Sequence, residues 1–353
     1  MLIDFGREIS GYLAIAESRE WLVTNGIGGF ASGTVAGMLT RRYHGLLLAA
    51  LQPPLGRTLM LAKVDETVEY EGIYPQSGRF YPLYVNRWAN SKVEGNGHHT
   101  INRFHLEGTT PVWTFAFGNA LLEKRIWMQP GANTTYLHYK LVRATGPLTL
   151  EAKSFVNYRD YHQTTIMNDW ELEVADVANG LRVQVHEKAA PLYLLSDKME
   201  MIPQFDWYED FYLSVEEYRG QNDVQEDHIY AALLRTVLRP GESLTLVAST
   251  EPDPNLDGAA AYAERQEYEA SLLERARKVH AVALPPAIEQ LVLAADQFVV
   301  KRPTARDKDG RSVIAGYPWF SDWGRDTMIA LPGLTLVTGR PEVAASILRT
   351  YAQ

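Results

Sequence analysis

Near the end of this 353-residue chain, Tyr317-Pro318-Trp319-Phe320-Ser321-Asp322-Trp323-Gly324-Arg325-Asp326 gathers four aromatic rings, two carboxylates and a guanidinium into ten residues. That mixture suits a hexose, whose axial C–H faces stack on rings while its equatorial hydroxyls take aimed donors and acceptors. Arg325 offers a planar fork of five donors and Asp326 two acceptor oxygens, so side by side they fit neighbouring hydroxyls. Trp319, Phe320 and Trp323 would supply the wall, and Gly324 lets the backbone turn beside it. Asp322 is a further candidate for binding and a minor one for catalysis. It lies four residues before Asp326, a spacing that aligns two carboxylates only if both are helical. Pro318 and Gly324 put Asp322 in a loop, so the two do not read as a catalytic pair. The apolar run Thr327-Met328-Ile329-Ala330-Leu331 predicts a buried helix with Asp326 at its start. A plainer reading stands beside the first: Asp326 as a helix cap and the aromatics as core.

Composition narrows what surrounds this stretch. With 46% hydrophobic and 22% charged residues, the chain is an ordinary globular one, long enough for two domains or one large domain with an appendage. Thirty-four basic against 43 acidic residues leave a formal charge of −9, which argues against a nucleic acid partner. The absence of cysteine excludes disulfides and thiolate metal sites and fits a cytoplasmic location. Met1–Glu20 lacks a signal-peptide pattern, and no run approaches 18 apolar residues, so no membrane partner is expected. No histidine pair has metal-site spacing, and nothing implies a cofactor.

From Trp21 to about Ser249 the apolar residues recur with period two. Leu148, Leu150 and Ala152 alternate with Thr149, Glu151 and Lys153; Leu181, Val183 and Val185 do the same, as do Trp113, Phe115 and Phe117. Turn signals such as Gly146-Pro147 and Pro240-Gly241 divide the runs. The pattern predicts a mainly β domain over residues 1–254, built as a large antiparallel two-sheet sandwich. Asn25-Gly26-Ile27-Gly28-Gly29 contains a Gly-x-Gly, but strands rather than a helix follow it, so it is no dinucleotide loop. Glu251-Pro252-Asp253-Pro254-Asn255-Leu256-Asp257-Gly258 marks a boundary. A linker over 255–284 follows, with a helix from Ala259 to His280 that Asp257 caps; its stripe is Tyr268, Leu272, Ala276 and Val279, and its charged face is solvated. Pro285-Pro286 opens another helix with Ile288, Leu291, Ala295 and Phe298 on one side, a polar loop spans Arg302–Arg311, and a last helix runs from Arg340 to Gln353.

The stretch Ala315–Thr327, continued by Ile329-Ala330-Leu331-Pro332-Gly333-Leu334, resembles the opening of the catalytic domain of glycogen debranching enzymes of the amylo-α-1,6-glucosidase type. Three earlier segments resemble the N-terminal domain of the same family: Asn25 to Leu48, Asn157-Tyr158-Arg159-Asp160-Tyr161-His162, and Trp207-Tyr208 through Tyr212, Glu216-Glu217 and Arg219-Gly220 to Glu226-Asp227. The resemblance implies that Arg325 and Asp326 grip a terminal glucose, and that residues 285–353 begin an (α/α)6 glycosidase barrel. It further implies inverting hydrolysis of α-1,6 branch points in glycogen or limit dextrin; the separate glucanotransferase barrel of the eukaryotic enzymes finds no room in this length. Residues 285–353 hold about three helices of that barrel's twelve, so the chain is expected to be truncated, with the family's acid and base beyond Gln353. Arg42, Tyr43 and His44 are possible contributors to the sugar site from the β domain. The structural alternative has Arg42 pairing with a carboxylate and His44 satisfied at a strand start, and Arg159 and Asp160 are adjacent enough for an internal ion pair. Two other functions remain open: a non-catalytic α-glucan-binding or structural module, and a related α-glucosidase or inverting phosphorylase.

Overall fold

The computed structural model describes residues 3–72, 80–280 and 283–352. Met1 and Leu2, residues 73–79, residues 281–282 of the expected linker, and Gln353 lie outside the described residues. Among the described residues, one sheet has nine strands, in the edge-to-edge order Asp4–Gly6, Ile101–Glu107, Thr110–Phe117, Ala120–Met128, Thr134–Arg143, Ser243–Ser249, Leu192–Leu195, Gly180–Gln184 and Glu173–Val177. A second sheet runs Glu200–Tyr212, Gln225–Leu238, Leu148–Asp160, Leu55–Glu69, Gly45–Gln52, Phe30–Thr34 and Glu20–Thr24, with Phe80–Pro82 paired beside Leu55–Glu69. Every pairing between these strands is antiparallel, as the alternation predicts.

Period two gives each sheet an apolar face, and the two faces share one core. Trp21 of one sheet meets Trp113 of the other edge-on, ring centroids 5.6 Å apart. Their indole N–H groups donate to the carbonyls of Thr34 and Val35, so neither buried ring leaves a donor unpaired. Leu148, Leu150, Ala152, Leu181 and Val183 are buried as expected. The glycine stretch is a hairpin turn between Glu20–Thr24 and Phe30–Thr34, not a helix start.

The longer helices follow the strands of the two sheets, and no helix among the described residues is long and apolar enough to cross a membrane. Gly258–His280 begins where the Asp257 carboxylate accepts from the N–H groups of Ala259 and Ala260, both at 3.0 Å. Its buried face differs from the expected stripe. Leu272 and Ala276 are buried, but Tyr268 and Val279 are exposed, and Arg265 and Glu269 take the buried positions. The cause is the hairpin turn at Gly108-Thr109, which docks there: Arg265 bonds Glu269 at 2.8 Å and the Thr109 hydroxyl at 2.6 Å. Glu274 and Lys278, 2.7 Å apart, form the solvated pair that the charge pattern suggests.

Helix Pro286–Gln297 also turns a different side inward. Val292 and Leu293 pack on Leu272 and Ala276, while Leu291 is 63% exposed. Three consecutive apolar residues made that face ambiguous. The expected polar loop Arg302–Arg311 is closed by strands Val299–Lys301 and Arg311–Val313, too short to show a period in sequence. Gly324–Leu331, a wider turn at Pro332–Leu336 and helix Pro341–Tyr351 complete the described chain.

Candidate functional site

The aromatic loop grows out of that short hairpin. Ala315 N–H donates to Ser321 O at 3.0 Å and Phe320 N–H to Gly316 O at 2.9 Å, folding the loop on itself. Asp322 locks its base. One carboxylate oxygen accepts from Arg302 Nη1 at 3.1 Å, and the other accepts from Ser312 Oγ at 2.7 Å and from the Tyr351 hydroxyl at 3.5 Å. Its side chain is almost fully buried, so this carboxylate faces the loop's own supports. Trp323 occupies the cap position of Gly324–Leu331, and Asp326 is the third residue of that helix rather than its cap. A carboxylate there still benefits from the positive end of the helix dipole.

Around this base the side chains divide into two groups. Tyr317 packs between Phe30 and Phe298, at ring distances of 5.4 and 5.9 Å. Burial pushes its hydroxyl up to about 12, against the pull of nearby Arg57, and the oxygen has no hydrogen-bond partner among the described residues. Trp319 leans on the apolar cluster that includes Tyr43 and Tyr161; Arg219 and Arg41 lie over its ring, 4.7 and 5.5 Å from the centroid. Phe320 and Trp323, by contrast, are 52% and 58% exposed. Beside them Arg325 is 83% exposed and approaches Asp326 Oδ2 at 3.4 Å. An exposed pair at that separation contributes about 1 kcal/mol at most, so ligand hydroxyls can replace it.

The β domain holds the loop through a residue that sequence reading passed over. Arg57 donates from Nε to Gly28 O at 3.0 Å and from Nη1 to Pro318 O at 3.4 Å and Phe320 O at 3.0 Å. Its guanidinium lies 5.0–5.7 Å from the rings of Tyr317, Tyr161 and Phe30. Tyr161 adds a hydroxyl aimed at Trp319 O, 3.5 Å away. Arg41, Arg219 and Tyr161 all fall inside segments with family resemblance; Arg57 does not, and no local pattern marks it.

Arg42, Tyr43 and His44 are brought near the loop's back, where they bind the β domain itself. Arg42 donates to the carbonyls of His162 and Asp223, at 2.7 and 3.1 Å, and faces Glu216 at 3.7 Å. The Tyr43 hydroxyl meets His162 Nδ1 at 3.1 Å. His44 accepts from Thr40 N–H at 3.2 Å and turns its other nitrogen to Glu20 at 3.5 Å. Burial alone would raise Glu20, but hydrogen bonds and charge from His44 and Arg41 hold it at about 2. Arg159 pairs with buried Glu226, not with its neighbour Asp160. Among the described residues no three His, Cys, Asp or Glu side chains converge as a metal site.

A family model described as glycogen debranching enzyme N terminal matches residues 19–245, and one described as amylo-alpha-1,6-glucosidase matches residues 293–353. No curated protein matches the chain. Among solved structures, a human-microbiome protein described as a kojibiose phosphorylase aligns at 9% identity with a TM-score of 0.29, over 80% of this chain and 36% of its own. A 4-alpha-glucanotransferase from Thermococcus litoralis aligns at 10% identity with a TM-score of 0.24, over 64% of this chain and 34% of its own. This chain thus spans about a third of the length of either structure, and likeness at these scores assigns no residue a role.

Proposed function

Because this chain belongs to the glycogen debranching enzyme family, we propose that residues 319–326 hold the terminal glucose of a branched α-glucan, and that the protein is a glycoside hydrolase releasing α-1,6-linked glucose at glycogen branch points. The observation that carries this reading is the half-exposed pair Phe320 and Trp323 beside the accessible Arg325 and Asp326. Rings left in water next to an easily separated ion pair match the two faces of a hexose. In the proposal Phe320 and Trp323 stack on the sugar, Arg325 and Asp326 bind its hydroxyls, and Trp319 backs the wall under Arg219. Asp322 is assigned to anchoring the loop, since Arg302, Ser312 and Tyr351 occupy its oxygens.

We read residues 1–254 as the β domain, 255–284 as a linker and the helices after 285 as the opening of an (α/α)6 barrel. Inverting hydrolysis needs an acid and a base about 6.5–9.5 Å apart, and the proposal gives neither task to Asp322 or Asp326. The test is glucose release from phosphorylase-trimmed limit dextrin by the full-length protein. Asp326→Asn is expected to lower kcat/KM about 10- to 100-fold, the range for losing charge-assisted hydrogen bonds to a ligand. Activity within twofold of the parent would remove Asp326 from the site. Turnover that depends on phosphate would replace hydrolysis by phosphorolysis.

A further inference from the structure

Arg57 is 2% exposed, yet among the described residues no carboxylate pairs with it. Its partners are carbonyl oxygens and rings, and they come from both parts of the chain. Pro318 O and Phe320 O converge on one guanidinium nitrogen, while the carbonyl between them, Trp319 O, turns the other way to the Tyr161 hydroxyl. Three consecutive loop carbonyls are therefore bound by two side chains of the β domain. The backbones of the two residues are tied to each other as well, because Tyr161 N–H donates to Arg57 O at 3.1 Å. Gly28 O fixes the guanidinium from its far side at 3.0 Å. Fixing three successive carbonyl directions fixes the peptide planes on both sides of Trp319 and Phe320, and hence where their side chains leave the backbone.

We propose that Arg57 is a positioning residue for the sugar site: without touching the glucan, it sets the placement of the aromatic wall through the backbone of residues 318–320. The proposal rests on the reading of that wall as glucose-binding. A planar fork with divergent donors is needed to reach Gly28 O on one side and two loop carbonyls on the other, and a lysine ammonium is a single point. Lysine would keep a cation among the three rings and would remove the buried Nη2, which has no hydrogen-bond partner among the described residues. Arg57→Lys therefore separates loop placement from general packing.

In the full-length protein, Arg57→Lys is expected to raise KM for limit dextrin about tenfold, in line with a lost charge-assisted clamp, with kcat within about twofold and a smaller loss of thermal stability than in Arg57→Met. Chymotryptic cleavage after Phe320 or Trp323 should speed up in the same variant. Tyr161→Phe, which loses one longer bond, should shift KM less. Arg57→Met should lose both packing and placement, lowering stability as well as raising KM. Parental KM in Arg57→Lys, or a fall in KM-normalised activity that only tracks lost stability across the three variants, would overturn the proposal. Should the parent itself release no glucose from limit dextrin, the functional reading fails, and the cleavage pattern alone then decides whether Arg57 anchors the loop.

Discussion

Glu20 shares its carboxylate between the imidazole of His44 and the guanidinium of Arg41, and Arg41 in turn lies over Trp319. Because its folded pKa is about 2, below the ordinary 4.5, it adds stability that is present above pH 4.5 and is lost as pH falls toward 2. Glu20→Gln should flatten the acid limb of a Tm-against-pH curve in that window; an unchanged limb would show that the charge pair contributes nothing. At this scale the sequence spoke through residue type. Arg325, Asp326, Phe320 and Trp323 stood out because rings and charges rarely crowd together, and all four prove accessible. Arg42 stood out by its neighbours and turned out to bind carbonyls of its own domain. Arg57 lies in a strand of mixed composition, so nothing in its surroundings distinguishes it from any surface arginine.

The long helix Gly258–His280 meets the sheet through charge as well as apolar contact. Glu269 accepts from Arg265 and from the hydroxyl of Thr109, both almost fully buried. Removing one member of a buried pair leaves the other charge desolvated, so Glu269→Ala should cost about 3–5 kcal/mol. Glu274→Ala, on the solvated face, should change stability by less than about 1 kcal/mol. Urea unfolding of the two variants makes the comparison, and equal costs would refute the buried role. The helix itself was legible from its boundary residues and length. Its inward face was not, because Arg265 and Glu269 read as solvent-facing until the Gly108-Thr109 turn supplies their partners. Gly28 is a comparable case among the turns: its φ is +99°, and a Cβ there would stand 2.9 Å from Pro54 Cα. Gly28→Ala should therefore destabilise by at least about 1 kcal/mol, read as a lower Tm.

Across the whole molecule, two histidines drawn into the sheets contribute to the response to mild acid. Burial, aided by Arg125, pushes His138 down to about 4, and burial with Arg159 holds His228 well below its ordinary value of 6.5. The unfolded chain takes up these protons below pH 6.5 while the folded chain does not, so the stability these two histidines contribute should fall as pH drops from 6.5 toward 4, by at most about 1.4 kcal/mol per pH unit for each. His138→Gln should remove one such contribution, and equal slopes in parent and variant from urea titrations would refute it. The two-sheet plan was legible because period two persists through strand after strand. The join between strands and helices was not, since Arg57 and Phe320 are 263 residues apart and Gln297 and Leu22 are 275 apart. The hairpin turn at Asn25–Gly29 collects these distant partners: Gly131 N–H on Asn25 O, Lys301 N–H on Gly26 O and Arg57 on Gly28 O. A ribosome making about 5–20 residues per second delivers the turn tens of seconds before Lys301. During that interval Gly26 O is served by water, and the arrival of Lys301 and the residues around it converts a half-satisfied loop into the junction on which the aromatic wall is hung.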